Sequence, residues 1–160
     1  MKDNRSVRRK VLDWKSVERF SEAVVKQVSS MAKSFDLVIG IGTGGYIPLA
    51  LISRRMAQRS TRVVNVRSFI HDGVRGDMKV EYFPFVNGEL AGKVILLVDD
   101  IVATSATMSF VRKELQRCGG LVTTCSLVVS SRVCPVHEYP DVYGEAIMRE
   151  SDEFLVFPWD

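Results

Sequence analysis

The run Val94–Val98, VILLV, constrains this chain more than any other segment. Apolar residues in unbroken sequence, with no alternation, call for burial on both faces, as in an interior strand of a parallel sheet. Two carboxylates, Asp99 and Asp100, follow directly, then the small and hydroxyl-bearing residues Ala103, Thr104, Ser105, Ala106 and Thr107. Met108, Val111 and Leu115 recur after them at helical spacing. Strand, acidic pair, small-residue loop and helix start have a joint chemical reading. Backbone N–H groups at a helix N-terminus, aided by the helix dipole, hold a phosphate. Carboxylates accept hydrogen bonds from sugar hydroxyls or hold a metal through water. An acidic pair set against a buried strand also carries a desolvation cost that a solvated turn avoids, which favours a used site over an ordinary turn.

The rest of the chain supplies partners for that strand. Trp14, Val17, Ser21, Val24, Val28 and Met31 step by three and four, which predicts an amphipathic helix over residues 14–33. Leu37–Ile41 reads as a short buried strand, and Gly40–Gly45 as a glycine-rich turn after it. Pro48 suits the first turn of a following helix, whose apolar stripe is Leu49, Ile52 and Met56. Arg62–Val66 and Leu121–Val129 read as further strands, and Phe154–Phe157 as a short last one. Residues 68–92 are polar and glycine-rich, with Val80, Tyr82 and Phe85 marking short antiparallel pieces. A connection of that length is expected to be a flexible lid. Residues 130–153 read as irregular. Strands alternating with helices predict an α/β, doubly wound, mainly parallel sheet. In such folds ligands bind at the carboxyl ends of strands, where both Gly40–Gly45 and Asp99–Thr107 fall.

With 160 residues, the chain is expected to form one domain over 1–160. Its 46% apolar and 26% charged residues are ordinary for a globular protein. No apolar run approaches a membrane span or the core of a signal peptide, so no membrane association and a cytoplasmic location are expected. Cys118, Cys125 and Cys134 are too scattered for a zinc site or a disulfide framework and read as buried thiols. The net charge of +3 says little, and the basic residues of 1–10 read as a solvated tail. Without interleaved aromatic residues that tail makes a nucleic-acid partner an unexpected one. His71 and His137 are isolated from any triad or metal partner and read as surface residues.

The stretch VILLVDDIVATSATM resembles the phosphoribosyl-diphosphate (PRPP) binding loop of type I phosphoribosyltransferases. Asp99, Asp100, Thr104 and Thr107 match its pattern, and Ser105 stands where the family usually has Gly. IGIGTGGYIP, residues 39–48, resembles the family's diphosphate-binding loop, with Thr43 in the place often held by Arg. The ending FLVFPWD resembles that of the hypoxanthine and xanthine-guanine branch, where an aromatic residue stacks on the purine and main-chain groups read its edge. Together with the Trp14 helix and the FIHDG segment, the resemblance extends over almost the whole chain.

The resemblance implies the type I phosphoribosyltransferase fold with a flexible lid (68–92) and a small base-binding C-terminal cap (130–160). It implies transfer of ribose 5-phosphate from PRPP to a nucleobase, a 6-oxopurine (hypoxanthine, guanine or xanthine), in purine salvage. Asp99 and Asp100 would be the catalytic acids and would hold Mg2+ through water. Ala103, Thr104, Ser105, Ala106 and Thr107 would bind the 5-phosphate, and Thr43, Gly44 and Gly45 the diphosphate. Phe154, Leu155, Val156 and Arg132 would bind the base, and the enzyme would be a homodimer. For Phe157 and Trp159 a packing role is expected.

Besides Ser105, other positions depart from the family. Ala103 stands where purine enzymes of this branch usually carry Asp, a candidate general base. Ser130 and Ser131 stand where a Lys is often found, with Arg132 nearby. Thr43 removes a cation beside the diphosphate, for which Arg67, Arg75 or Lys79 is a candidate replacement. Ala103, Thr43 and Ser105 together keep an alternative open: a catalytically impaired PRPP- or nucleotide-binding regulatory protein.

Overall fold

The computed structural model describes residues 8–71, 74–131, 133–148 and 153–160. Its strands are β1 (Arg8–Val11), β2 (Leu37–Ile41), β3 (Thr61–His71), β4 (Val74–Tyr82), β5 (Val94–Val102), β6 (Leu121–Ser130), β7 (Val142–Ile147) and β8 (Glu153–Val156). The helices are α1 (Trp14–Ser30), α2 (Tyr46–Arg55) and α3 (Ala106–Arg117), with a 3₁₀ turn over Val136–Glu138. A six-stranded sheet runs in the order β4-β3-β2-β5-β6-β7, parallel except for the β3–β4 pair. β1 and β8 form a separate parallel pair.

The doubly wound expectation is met. β5 lies inside the sheet, and its side chains alternate between two cores. Leu96 and Val98 join α1 and α2 on one face, while Ile95, Leu97 and Val102 join α3 on the other. α1 starts where Asp13 caps it, accepting from the Ser16 N–H at 2.7 Å. It buries Val17, Phe20, Val24 and Val28. The helix ends at Ser30 rather than at 33, because Met31 turns to an extended conformation. In α2, Pro48 sits in the first turn as expected. No helix among the described residues is long and apolar enough to cross a membrane.

Four segments differ from the sequence reading, each for a physical reason. β5 does not stop at Val98 but continues through the acidic pair to Val102, pairing with β6 as far as Val102↔Val129. The strand from Arg62 does not end at Val66. It runs to His71 and returns as β4, so much of the expected lid is an antiparallel hairpin. β7 falls in the stretch 130–153, where no strand was expected. It is an edge strand whose VYGEAI sequence has only Val142 fully buried, so it lacks the apolar run or alternation that marks a strand. β1 lies in the expected basic tail. Its residues Arg8–Val11 are all exposed, and backbone pairing with β8 is what orders them.

Candidate active site

Strand lengths create the site. β2 and β5 pair only as far as Gly40↔Val98, after which β2 ends at Ile41 while β5 continues. Crossovers leave the sheet in opposite directions at this β2–β5 boundary, which is where doubly wound folds bind ligands. The turn 42–45 folds back over the end of β2, with the Gly45 N–H donating to Ile41 O at 3.0 Å. Above it opens a cavity of about 450 Å³. Thr43, Gly44, Asp99, Asp100 and Thr107 all line it, so the two loops identified in the sequence meet on one wall.

The glycines of the turn have three separate reasons. Gly42 has φ +56°, the left-handed region that favours glycine. Gly44 faces the Asp100 carboxyl group: a Cβ there would lie 2.7 Å from Asp100 Cγ and 2.9 Å from Oδ1. A Cβ on Gly45 would meet backbone alone, 2.6 Å from Ile41 O and 3.0 Å from Val98 O.

The acidic pair is held by main-chain donors. The Asp100 N–H donates to Asp99 Oδ1 at 3.0 Å, and the Ile101 N–H to Asp100 Oδ1 at 2.6 Å. Burial raises the Asp99 carboxyl well above its ordinary range, and the charge of Asp100 adds to the effect. Burial also raises Asp100, with a smaller contribution from the like charge of Asp160.

The phosphate loop is split. Thr107, in the first turn of α3, reaches the main cavity. Ser105 lines a smaller space of about 170 Å³ on the other side, and its hydroxyl donates to Glu138 Oε2 at 2.6 Å. Its backbone is right-handed helical (φ −67°), so the residue that replaces the usual glycine needs no left-handed conformation here. Ala103, Thr104 and Ala106 are half-buried beside these two and do not line the main cavity.

The base-binding candidates are less gathered. Phe154 on β8 is 63% exposed and does not line the cavity. Leu155 is buried, and the Val156 carbonyl accepts from the Leu12 N–H at 2.9 Å. Arg132 and the side chain of Arg75 lie outside the described residues. Phe157 packs in the core as expected.

Three cavity residues were missed or given another role, and a fourth, Arg67, was expected only as one of three candidates for the cation that Thr43 removes. Asn65 and Arg67 arrive from β3, and Trp159 and Asp160 from the C-terminus. Trp159 stacks on Phe157 with ring centroids 4.7 Å apart, so it packs as expected, yet it also lines the cavity. Its buried indole N–H has no partner among the described residues. The Pro-Trp-acid ending was the available signal for Trp159 and Asp160. Nothing local marks Asn65, because its place depends on how β3 lies against the turn.

A model of the phosphoribosyl transferase domain matches residues 9–158. The chain belongs to the phosphoribosyltransferase family. Among relatives of this family, a xanthine-guanine phosphoribosyltransferase of Idiomarina loihiensis is 27% identical over 149 residues, 93% of this chain and 85% of its own length. One of Gluconobacter oxydans is 28% identical, over 92% of this chain and 82% of its own length. The fold matches a purine phosphoribosyltransferase of Pyrococcus horikoshii with a TM-score of 0.75 at 23% identity, covering 95% of this chain and 94% of that one. It also matches a Neisseria gonorrhoeae protein solved with bound ppGpp, with a TM-score of 0.78 at 21% identity over 98% and 92% of the two chains. The phosphoribosyltransferase fold expected from the sequence is thus the fold observed.

Proposed function

We propose that this phosphoribosyltransferase transfers the 5-phosphoribosyl group of PRPP to a ring nitrogen of a 6-oxopurine, releasing diphosphate. The observation that carries the reading is the cavity in which Thr43, Gly44, Asp99, Asp100 and Thr107 converge. The base nitrogen bonds to ribose C1 as the C1–O bond to diphosphate breaks, and the bonding pair leaves with the diphosphate. The nitrogen gives up its proton to solvent water. Positive charge that gathers on the ribose ring is met by Asp99 and Asp100, which also accept from the ribose hydroxyls. Thr107 and the loop from Ala103 to Ala106 hold the 5-phosphate at the start of α3. Thr43 and Gly44 hold the diphosphate through backbone N–H groups, while Gly45, whose own N–H is bonded to Ile41 O, closes the turn behind them.

Mg2+ fits this arrangement as a companion of the substrate. The described residues contain no cluster of three or more side chains able to hold a metal by themselves. Two carboxylates plus the oxygens of a diphosphate are the kind of donor set this ion takes. Asp99 and Asp100 would hold it through water, and it would offset charge on the leaving diphosphate.

The base lies toward the C-terminal cap, where the exposed ring of Phe154 offers a stacking face and the main chain of Leu155 and Val156 an edge. The β3–β4 hairpin serves as the lid that keeps water from competing as nucleophile. The enzyme works in the cytoplasm as a homodimer. The test is a product assay with PRPP, Mg2+ and each of hypoxanthine, guanine, xanthine, adenine, uracil and orotate. A nucleoside monophosphate from a 6-oxopurine supports the reading, and product from a pyrimidine alone overturns the choice of base. Binding of PRPP with no product from any base favours the regulatory alternative that Ala103 keeps open.

A further inference from the structure

We propose that Arg67 is the cation that holds the departing diphosphate, filling the role that an uncharged Thr43 leaves open; this rests on the transferase reading above. The cavity has a charge problem. Asp99, Asp100 and Asp160 all line it, and a diphosphate brings more negative charge. Thr43 and Gly44 offer backbone N–H groups and one neutral hydroxyl. Among the described residues that line the cavity, Arg67 is the one cationic side chain.

Its setting is suited to an anion. Arg67 and Asn65 lie two residues apart on β3 and so share a face. Glu81 on β4 holds both: it accepts from Asn65 Nδ2 at 3.0 Å and lies 3.4 Å from Arg67 Nε. A contact through Nε leaves the terminal nitrogens of the guanidinium for another acceptor, and that planar fork matches phosphate oxygens. Asn65 also borders the turn, since its Oδ1 lies 3.9 Å from where a Cβ of Gly42 would be. Lys79 stands opposite Arg67 in the β3–β4 register. The Arg67 side chain is 69% exposed, and an exposed ion pair such as that with Glu81 contributes little stability. It is therefore readily exchanged for phosphate oxygens when substrate enters.

The experiment compares the parent with Arg67→Gln, Thr43→Arg and the double variant. Binding of inorganic diphosphate, PRPP and ribose 5-phosphate is measured by calorimetry with Mg2+, alongside the KM of the base the parent uses. Arg67→Gln is expected to weaken diphosphate and PRPP by about 10- to 100-fold, the loss of charge-assisted hydrogen bonds. Affinity for ribose 5-phosphate and the KM of the base should hold, because their subsites lie elsewhere. Thr43 is exposed, so an arginine there has room, and the double variant should regain most of the lost diphosphate affinity. If Arg67→Gln binds diphosphate as the parent does, the proposal is overturned while the transferase reading stands. Equal losses for ribose 5-phosphate and base would also overturn it, since they mark a structural role. A parent that binds neither PRPP nor diphosphate removes the transferase reading and this proposal with it.

Discussion

Gly44→Ala tests whether the two substrate loops are built against each other. The three nearest atoms to an added Cβ all belong to the Asp100 carboxyl group, with Cγ at 2.7 Å and Oδ1 at 2.9 Å. Side chains can often swing aside, but Asp100 Oδ1 is tied to the Ile101 N–H at 2.6 Å. Moving the carboxylate breaks that bond and shifts the acid from its place in the cavity. Overpacking of this kind costs about 1–3 kcal/mol. For a domain of this size each 1 kcal/mol moves the melting midpoint by about 2–4 °C, so a fall of roughly 2–12 °C is expected. The same substitution in an Asp100→Ala background should cost almost nothing, because the atoms it strikes are gone. Thermal melts of the four proteins give the coupling energy directly, and about 0.5–3 kcal/mol is expected for residues in contact. Gly45→Ala is the control: it meets the backbone of Ile41 and Val98, so truncating Asp100 should not rescue it. If Gly44→Ala loses as much stability without the Asp100 carboxylate as with it, the clash is not the cause and the coupling argument fails.

Other outcomes follow from the same structure. Thr107→Val keeps the shape of the cavity wall and removes a hydroxyl, so ribose 5-phosphate should bind about 1.5–3 kcal/mol more weakly by calorimetry. Unaltered affinity would remove Thr107 from the phosphate subsite. Phe154→Ala should leave the melting midpoint nearly unchanged, because the ring is exposed, while raising the KM of the base roughly 10-fold or more from lost stacking. Side-chain and backbone hydrogen bonds with Ser16 hold the Asp13 carboxyl below its ordinary value of 3.8. A depressed acid stabilises the fold above its unfolded value and loses that contribution as pH falls through the folded one. The deficit of Asp13→Ala should therefore be full at neutral pH and shrink progressively as pH falls below 3.8 in pH-resolved melts.

What was legible in the sequence is what local pattern encodes. The buried strand at Val94–Val98, the Trp14 helix and the glycine turn announce themselves through runs, periods and turn residues. The site's two loops were legible for the same reason, since each is contiguous. β1 and β7 were not, because an exposed or edge strand gains its order from a neighbour distant in the chain. Residues 8–11 pair with 153–156, and 142–147 lie beside β6. The extension of β5 to Val102 was hidden by the acids inside it, which read as the end of a strand. Asn65 was invisible as a cavity residue, and Arg67 could not be told from Arg75 and Lys79, for a related reason. Their position depends on β3 outrunning β2, a fact of register rather than of composition.

That difference in strand length also explains why the loops constrain each other. Had β2 run as far as β5, Asp99 and Asp100 would face a neighbouring strand and pay for burial with no ligand to meet. Because β2 stops at Ile41, the turn 42–45 fills the space over its end and brings Gly44 against the Asp100 carboxyl group. Residue identity in the turn is thus set by the acid, not only by the turn's own dihedral angles. Gly42 alone answers to a left-handed backbone, while Gly44 answers to a side chain 56 positions away in sequence. A substitution at either loop is therefore expected to be felt at the other, which makes the acidic pair and the diphosphate turn one unit for binding.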